Sequence, residues 1–588
     1  MEHIMFDDEQ SGGVPIGGNT FANLIDQGVY PTFNTALPAY SPPSNTGSLG
    51  MMAHYNPSVF PSSFFPPALG YSNLPTAPAT ASQTFHPAVA PYFAADFDDD
   101  FYPGGAPGGQ SDVSSFLDTW RGVSLRHPNS ANVVGPKAST FRHVERPKTV
   151  NRKQLQGDRF DIQGINWEAL ETTRETARAI RANFAHTSDR RNRFHLHLAK
   201  PLPDTDSFFR FRRMNTEHRA WIAHFQLRNI ISATSQHDIY YAKGSKVMHT
   251  DAYNMRTSCL MDLPPVAGSS FASGFRVTAL TASSNTLVAG GFTGEYAITN
   301  LQSEIGTPPT VGHVTPAENG ITNHAHAFAH RTSAHTTAAF CSNDAKMRIL
   351  DCETGTFTDT FPYAHPINCA ATSPDGRLRV VVGDCNEALI TNAETGQPVE
   401  ILRNHTDHAF ACAWADDGRY VATGAQDSQI VVYDARWWRD PLRFIATELA
   451  CPRSLAFSPV GGGKRVLLAA EADDVVNVID AQTFASRQSL SLFGAIGGMS
   501  ITPDGEDVFV ACCDNKVGGI LGFERTGYGQ EYGLGGVWRR DWKYGDQRMV
   551  QEGPAEWGTD EEMRNDGRVV KGATARSRRG LGLGKLIV

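Results

Sequence analysis

The sequence has little that would tie it to a membrane, an extracellular space or a catalytic class. No uninterrupted apolar run approaches the roughly 18 residues that a membrane helix needs. The opening Met-Glu-His-Ile-Met-Phe-Asp-Asp lacks the basic and apolar stretches of a secretory signal. The nine cysteines are an odd number, and most sit inside strand-like runs (Cys341, Cys369, Cys412, Cys512 and Cys513). That spacing is no disulfide framework and points to a reducing compartment, so the expected location is cytoplasm or nucleus. A net charge of -9 argues against a globally nucleic-acid-binding protein and leaves only local basic patches.

Signatures of chemistry are also missing. There is no Gly-x-Ser-x-Gly elbow, and no cysteine sits in a catalytic signature. "PVGGGKR" (Pro459 to Arg465) lacks the spacing of a phosphate loop and reads as an elongated hairpin turn. "NHAHAFAHRTSAH" offers His324, His326, His330 and His335. The spacing of two puts His324 and His326 on one strand face, but no Cys or carboxylate cluster lies nearby in sequence to complete a zinc site. No catalytic residue, metal or cofactor is expected, and the chain reads as a non-enzyme.

What is present falls into regions. Residues 1–155 are rich in Pro, Gly and Ser without periodicity, a composition that buries too little apolar surface to offset chain entropy, and they are expected to be disordered. Deleting residues 1–150 is accordingly expected to leave the melt in place. Inside this head, "FAADFDDDFYPGG" (Phe93 to Gly105) interleaves aromatics with aspartates. Two readings stay open for it, a docking motif that folds on a partner or a solvated acidic stretch. The basic run Lys137 to Lys153 is compatible with a nuclear-localisation or a nucleic-acid patch. Residues 158–200 read as a helical lead-in. Its amphipathic helix carries Trp167, Leu170, Ala177, Ile180 and Phe184, with Asn166 as N-cap. Residues 526–588 read as a flexible, charged tail.

The informative part is 207–525. "VATGAQDSQIVVYDARWW" (Val421 to Trp438) reads as two short strands around a turn, and its final aspartate recurs along the chain. Asp251, Asn300, Asp351, Asn392, Asp434 and Asp480 are separated by 49, 51, 41, 42 and 46 residues, and a seventh unit ends near Leu521. The turn "SPDG" ends at Gly376, "ADDG" at Gly418 and "TPDG" at Gly505, spaced by one unit and then two. A period near 40–45 with four short strands per unit predicts an all-β, seven-bladed WD-repeat β-propeller. In the best unit His405, Thr423, Asp427 and Tyr433 fall at positions that form a hydrogen-bonded chain pinning the turn between two strands. Burying these groups requires that each finds a partner, so they are read as structural rather than as an acid–base pair. The seventh unit supplies only three strands, and "SFFRFRRM" (Ser207 to Met214) has the alternation of an edge strand that closes the ring.

Several stretches resemble an uncharacterised family of fungal and plant WD-repeat proteins. They are "HFQLRNIISATSQHDIYY" (224–241), "NTLVAGGFTGE" (285–295), "NGITNH" (319–324), "SPDGRLRVVVGD" (373–384) and "LFGAIGGMSITPDGEDVFVACCD" (492–514), together with the Val421 stretch. The resemblance covers about Asp158 to Arg525 and implies a seven-bladed propeller in an intracellular, non-enzymatic protein. Apart from the resemblance, a rigid propeller that presents loops reads as a scaffold for protein partners. Separately, Val421 to Arg436 is similar to the box that ends a blade in substrate receptors of cullin-RING ubiquitin ligases. In that box the final arginine contacts the damaged-DNA-binding adaptor, and here Tyr433 replaces the usual tryptophan. Asp434 and Arg436 are therefore candidate partner-binding residues, with a strand-bridging role as the alternative. Neither a membrane nor nucleic acid is expected as a partner.

Overall fold

The computed structural model describes residues 112–126, 135–141, 146–188 and 199–526, apart from 253–256, 267–274, 284, 305, 318 and 334. The acidic–aromatic stretch and the charged tail lie outside the described residues.

Two strands of the best unit show why sheets form here. Tyr420–Ala425 and Gln429–Asp434 bury every side chain except Asp434. Both faces of each strand are packed against neighbouring sheets, so the apolar runs are continuous rather than alternating. The outermost strand of the preceding sheet, Pro398–Leu402, exposes its first three residues. Five antiparallel four-stranded meanders follow one another, at 231–262, 277–313, 322–362, 367–402 and 409–446. We call them blades 1 to 5 and their strands a to d from the inside outward. In blades 6 and 7 the 15-residue strand Arg487–Ile501 is both the outer strand of one and the inner strand of the next, joining the two sheets. The innermost strands touch in a closed cycle, with blade 7 against blade 1, which makes a seven-bladed propeller.

The ring is closed by a strand from the other end of the chain. Phe209–Asn215 pairs antiparallel with Gly519–Arg525, placing Phe211 opposite Phe523 and Met214 opposite Leu521. Thr149–Asn151 then pairs outside it and covers the new edge. Arg152, Arg210 and Arg212 converge on Glu524 at 2.8, 2.6 and 2.8 Å.

The aspartate ladder has a local cause. Asn300, Asp351, Asn392, Asp434 and Asp480 each end strand c, and each Oδ1 accepts the backbone N–H two residues on, at 2.9, 2.9, 2.9, 3.0 and 2.9 Å. These are Asx turns that start the return to strand d. The ladder slips at both ends. Strand c of blade 1 stops at Thr250, one residue before Asp251, and strand c of blade 7 runs past Leu521 to Arg525. Blade 7 shifts because the connection between its strands b and c is residues 513–518, twice the length of 426–428 in blade 5.

That longer turn is a docking point, and it overturns the expectation of disorder for part of the head. Helix α1 (Val113–Arg126) buries Val113, Phe116, Leu117 and Trp120 against Trp167, Phe493 and Val517. Its first N–H donates to Asp514 Oδ2 at 2.8 Å. Four large apolar residues at helical spacing find a partner surface here that composition alone did not reveal. Apart from a single turn, α2 (Ala138–Phe141), the next helix is α3 (Arg174–Ser188). It starts later than the sequence suggested. Thr173 Oγ1 caps it by accepting the Thr176 N–H at 3.1 Å, whereas Asn166 caps only a turn through Ala169. Trp167 is drawn into the core instead, its indole N–H donating to Asp161 at 2.8 Å. On one face of α3, Arg174 donates to the Ser491 carbonyl at 2.7 Å and Arg178 meets Glu448 at 3.0 Å. Arg181 pairs with the buried Asp474.

Removing residues 1–150 strips α1 from this surface and is expected to lower the melting temperature, contrary to the composition-based expectation. The single substitution Trp120→Ala is expected to cost about 3–5 kcal/mol in chemical denaturation, as large-to-small changes of buried aromatics do. An unchanged transition would mean that the helix is not docked.

Candidate functional site

Blade 5 brings His405, Thr423 and Asp427 together in its interior. Asp427 Oδ2 accepts from His405 Nδ1 at 3.1 Å, and His405 Nε2 faces Thr423 Oγ1 at 2.8 Å. The same carboxylate accepts the backbone N–H groups of Thr406 and Gln429, at 2.9 and 3.1 Å. Tyr433 donates to Asn404 Oδ1 at 3.1 Å and has Thr423 as its other polar neighbour. His405 and Asp427 side chains are 0% and 2% exposed, so no substrate reaches them. Glu471 does the equivalent work in blade 6, accepting the N–H groups of Glu448, Leu449 and Ala450 at 2.7, 2.8 and 2.7 Å.

At the end of the same strand, Asp434 and Arg436 are tied to each other. The guanidinium donates to both carboxylate oxygens, Nε to Oδ1 at 2.8 Å and Nη2 to Oδ2 at 2.6 Å. This holds the Asp434 carboxyl well below the usual carboxylate range, with Arg419 adding a smaller contribution. Arg436 is nonetheless 67% exposed. It borders an open groove of about 530 Å³ between blades 4 and 5, lined also by Glu400, Arg403, Trp437, Trp438 and Arg439. Trp438 packs edge-on against Trp414, while Trp437 is 59% exposed. An exposed indole beside a guanidinium is the composition of an interface anchor.

The third assembly was invisible in sequence. Strands alternate in direction, so the b–c turns and the loops entering strand a share one face of the ring, here called upper. Six blades carry a one-residue bulge at the second position of strand a, at Thr278, Asn323, Asn368, Phe410, Arg453 and Gly497. Three of these side chains tie their blade to the next. Thr278 donates to the Thr322 carbonyl at 2.6 Å, Asn323 to Ile367 at 2.9 Å and Asn368 to Ala409 at 3.1 Å. The relay stops at Phe410, which has nothing to donate. Arg453 is 5% exposed and lies over the Phe410 ring at 3.8 Å. Among the described residues its Nε and Nη1 meet no oxygen acceptor, and only the Cys451 thiol lies beside the guanidinium. Each such buried, unsatisfied donor costs about 1–3 kcal/mol. No sequence signal marks a bulge position, which is why this cluster escaped the pattern reading.

The remaining sequence candidates separate. His324 and His326 lie on strand a of blade 3, while His335 leaves it to meet Glu353 at 3.1 Å. Among the described residues no three His, Cys, Asp or Glu side chains are grouped as metal ligands. "PVGGGKR" is the turn between Pro452–Phe457 and Val466–Glu471, with Gly461 and Gly463 at φ +101° and +84° and Lys464 paired to Asp480 at 3.3 Å.

Residues 396–434 match the family model described as WD domain, G-beta repeat. They run from the outer strand of blade 4 to the end of strand c in blade 5, so the matched repeat spans two blades. The chain carries WD repeats. Among curated proteins this WD-repeat chain is 26% identical to an uncharacterized protein of Schizosaccharomyces pombe, over 33% of its own length and 60% of that protein. It is also 26% identical to the WD repeat-containing protein SL1-17 of Schistosoma mansoni, over 26% of its own length and 48% of that protein. The chain thus spans about half to three-fifths of the length of these relatives. A chain in a crystal structure of the mitotic checkpoint complex aligns with a TM-score of 0.43 at 16% identity, over 56% of this chain and 93% of that one.

Two outcomes follow for the blade 5 groups. Asp427→Ala is expected to lose about 1–3 kcal/mol of unfolding free energy, because the donors of His405 and Gln429 are left buried without an acceptor. Asp434→Asn is expected to cost no more than about 1 kcal/mol at neutral pH, the worth of an exposed pair. Because the folded carboxyl titrates below its unfolded value of about 3.9, this contribution is present above that pH and lost as pH falls through the folded value. The variant and the parent should therefore converge in acid, as equilibrium unfolding measured across pH would show.

Proposed function

We propose that this WD-repeat protein is a non-enzymatic scaffold that mediates protein–protein interactions in the cytoplasm or nucleus. The observation that carries this reading is the groove between blades 4 and 5, where Trp437 stands exposed on a rigid ring beside Arg436. A preformed anchor of this kind loses little conformational entropy when a partner covers it. The resemblance to fungal and plant WD-repeat proteins belongs to the same reading, as does the division into a propeller at 207–525 and a helical lead-in before it. A second reading, docking of a cullin-RING ligase adaptor through Arg436, draws on that side chain's exposure. Against it stands the bidentate bond to Asp434, which a partner must share or break.

Affinity purification from native cells followed by mass spectrometry, with Trp437→Ala and Arg436→Ala beside the parent, tests both. Each substitution is at the surface and should leave unfolding free energy within about 1 kcal/mol of the parent. The scaffold reading expects Trp437→Ala to weaken a recovered partner at least about thirtyfold, in line with the 2 kcal/mol or more that such anchors contribute. The ligase reading expects a cullin-RING adaptor among the partners and its loss with Arg436→Ala. Partners retained by both variants would remove the groove as the interface.

A further inference from the structure

The upper mouth of the central channel combines buried positive charge with exposed aromatic surface. Among the described residues Arg453 has two guanidinium nitrogens without an oxygen acceptor, only the Cys451 thiol beside them, and is stacked on Phe410. Arg228 is its cationic neighbour, 6% exposed, with Nε donating to the Phe225 carbonyl at 2.9 Å. His224 completes the group. Burial, then Arg453 and Arg228, push its imidazole below the ordinary histidine value. The carboxylates acting on these groups are Asp473, which is itself buried, and Asp384 at the rim. Around the cations the surface is apolar. Phe225 is 48% exposed and Trp221 37% exposed, and His224 lies 4.9 Å from the Phe225 ring and 6.0 Å from that of Phe292. A planar guanidinium with open donors is matched by a carboxylate, and exposed rings are matched by aromatic side chains.

We propose that the channel mouth around Arg453 is a carboxylate-binding site whose occupant is the acidic–aromatic segment Phe93 to Tyr102 of this same chain. That segment carries Asp96, Asp98, Asp99 and Asp100 among Phe93, Phe97, Phe101 and Tyr102, so both charge and apolar character complement the mouth. The described chain resumes where the segment can reach. Asp112 precedes α1, whose first N–H is held by Asp514. Next to Asp514, the Cys513 N–H donates to the Ala495 carbonyl at 2.7 Å. Arg228 faces the carbonyl of the following residue, Ile496, at 3.4 Å. The anchor of α1 is therefore only a few residues' width from the cations. Asp112 lies ten residue steps beyond Tyr102, and an extended chain covers about 3.3 Å per step, roughly 33 Å. That tether spans the mouth without moving α1. Covalent connection gives the segment a high effective concentration, so weak individual contacts suffice. The proposal goes beyond the scaffold reading and does not depend on the groove between blades 4 and 5.

Hydrogen–deuterium exchange of the full chain, read on peptides covering 93–102, tests it. The parent is expected to exchange at least tenfold more slowly there than the same sequence as a free peptide. Replacing Asp96, Asp98, Asp99 and Asp100 together by Asn should restore the free-peptide rate, as should Arg453→Met. The aspartate replacements lie outside the propeller and leave its melt as a control, so a fold defect in Arg453→Met does not remove the test. Phe225→Ala offers a third, exposed position that should also release the segment. Free-peptide rates in the parent overturn the proposal. Protection of 93–102 that survives both Arg453→Met and Phe225→Ala overturns the mouth as the site. Protection of the loop 224–228 that persists after the aspartate replacements assigns the mouth to a different occupant, whether a second copy or an external acidic peptide, and overturns the assignment to this segment.

Discussion

Everything in this molecule depends on one strand pairing, that of Phe209–Asn215 with Gly519–Arg525. A row of twisted four-stranded sheets has two exposed ends, each with unpaired backbone groups and an uncovered apolar face. The pairing joins those ends across some 300 residues of sequence, and the rings of Phe211 and Phe523 meet edge-on across it. Three arginines then gather on Glu524, so charge reinforces the register at the point where it is most remote in sequence. Once closed, the ring fixes the spacing of the strand a termini, and with it the geometry of the channel mouth.

Closure also explains how polar side chains are distributed. Turns at both faces leave backbone N–H groups that the ladders do not use, and short acidic or amide side chains take them. On the lower face the work falls to the Asx turns from Asn300 to Asp480. On the upper face Asp427 and Glu471 reach across to the loop that enters strand a of their own blade. A residue such as Asp434 thus has a structural task before any partner is considered, and Arg436 completes that task by neutralising it. What remains open for recognition is the part of Arg436 and Trp437 that faces the groove.

The upper face differs from this orderly pattern in one sector. Helices α1 and α3 cover blades 6 and 7 through the apolar cluster around Trp167 and through Arg174, Arg178 and Arg181. Beside them the inter-blade relay of bulge side chains ends at Phe410, and Arg453 keeps donors without an oxygen acceptor among the described residues. A buried cation in that state is costly to a scaffold with no use for it. Its place next to exposed Phe225 and Trp221, and within reach of the chain that leads into α1, gives the mouth the chemistry of a binding site.

The sequence by itself determined the propeller. Strand-forming runs at a 40–45-residue period, turn glycines such as Gly418 and Gly505 at φ +70° and +75°, and Asp or Asn at the end of strand c are local features, each legible without knowledge of its neighbours. The close relation of His405, Thr423 and Asp427 was legible for the same reason, since one blade holds all three. The closing strand at 209–215 was legible because the seventh unit lacked a fourth strand, but local rules failed at other places where the partner was distant. α1 looked like part of a disordered head because the surface that orders it, Phe493 and Val517, lies almost 400 residues further along. The helix start moved from Asn166 to Thr173 because Trp167 turned into that same cluster. Arg453 and Phe410 sit in unremarkable strands, and only the bulges and the closing of the ring bring them together with Arg228 and His224 at one opening. Hydrogen bonds between near neighbours can be read along a chain, whereas burial and electrostatic crowding are properties of the folded surface and exist only once it has formed.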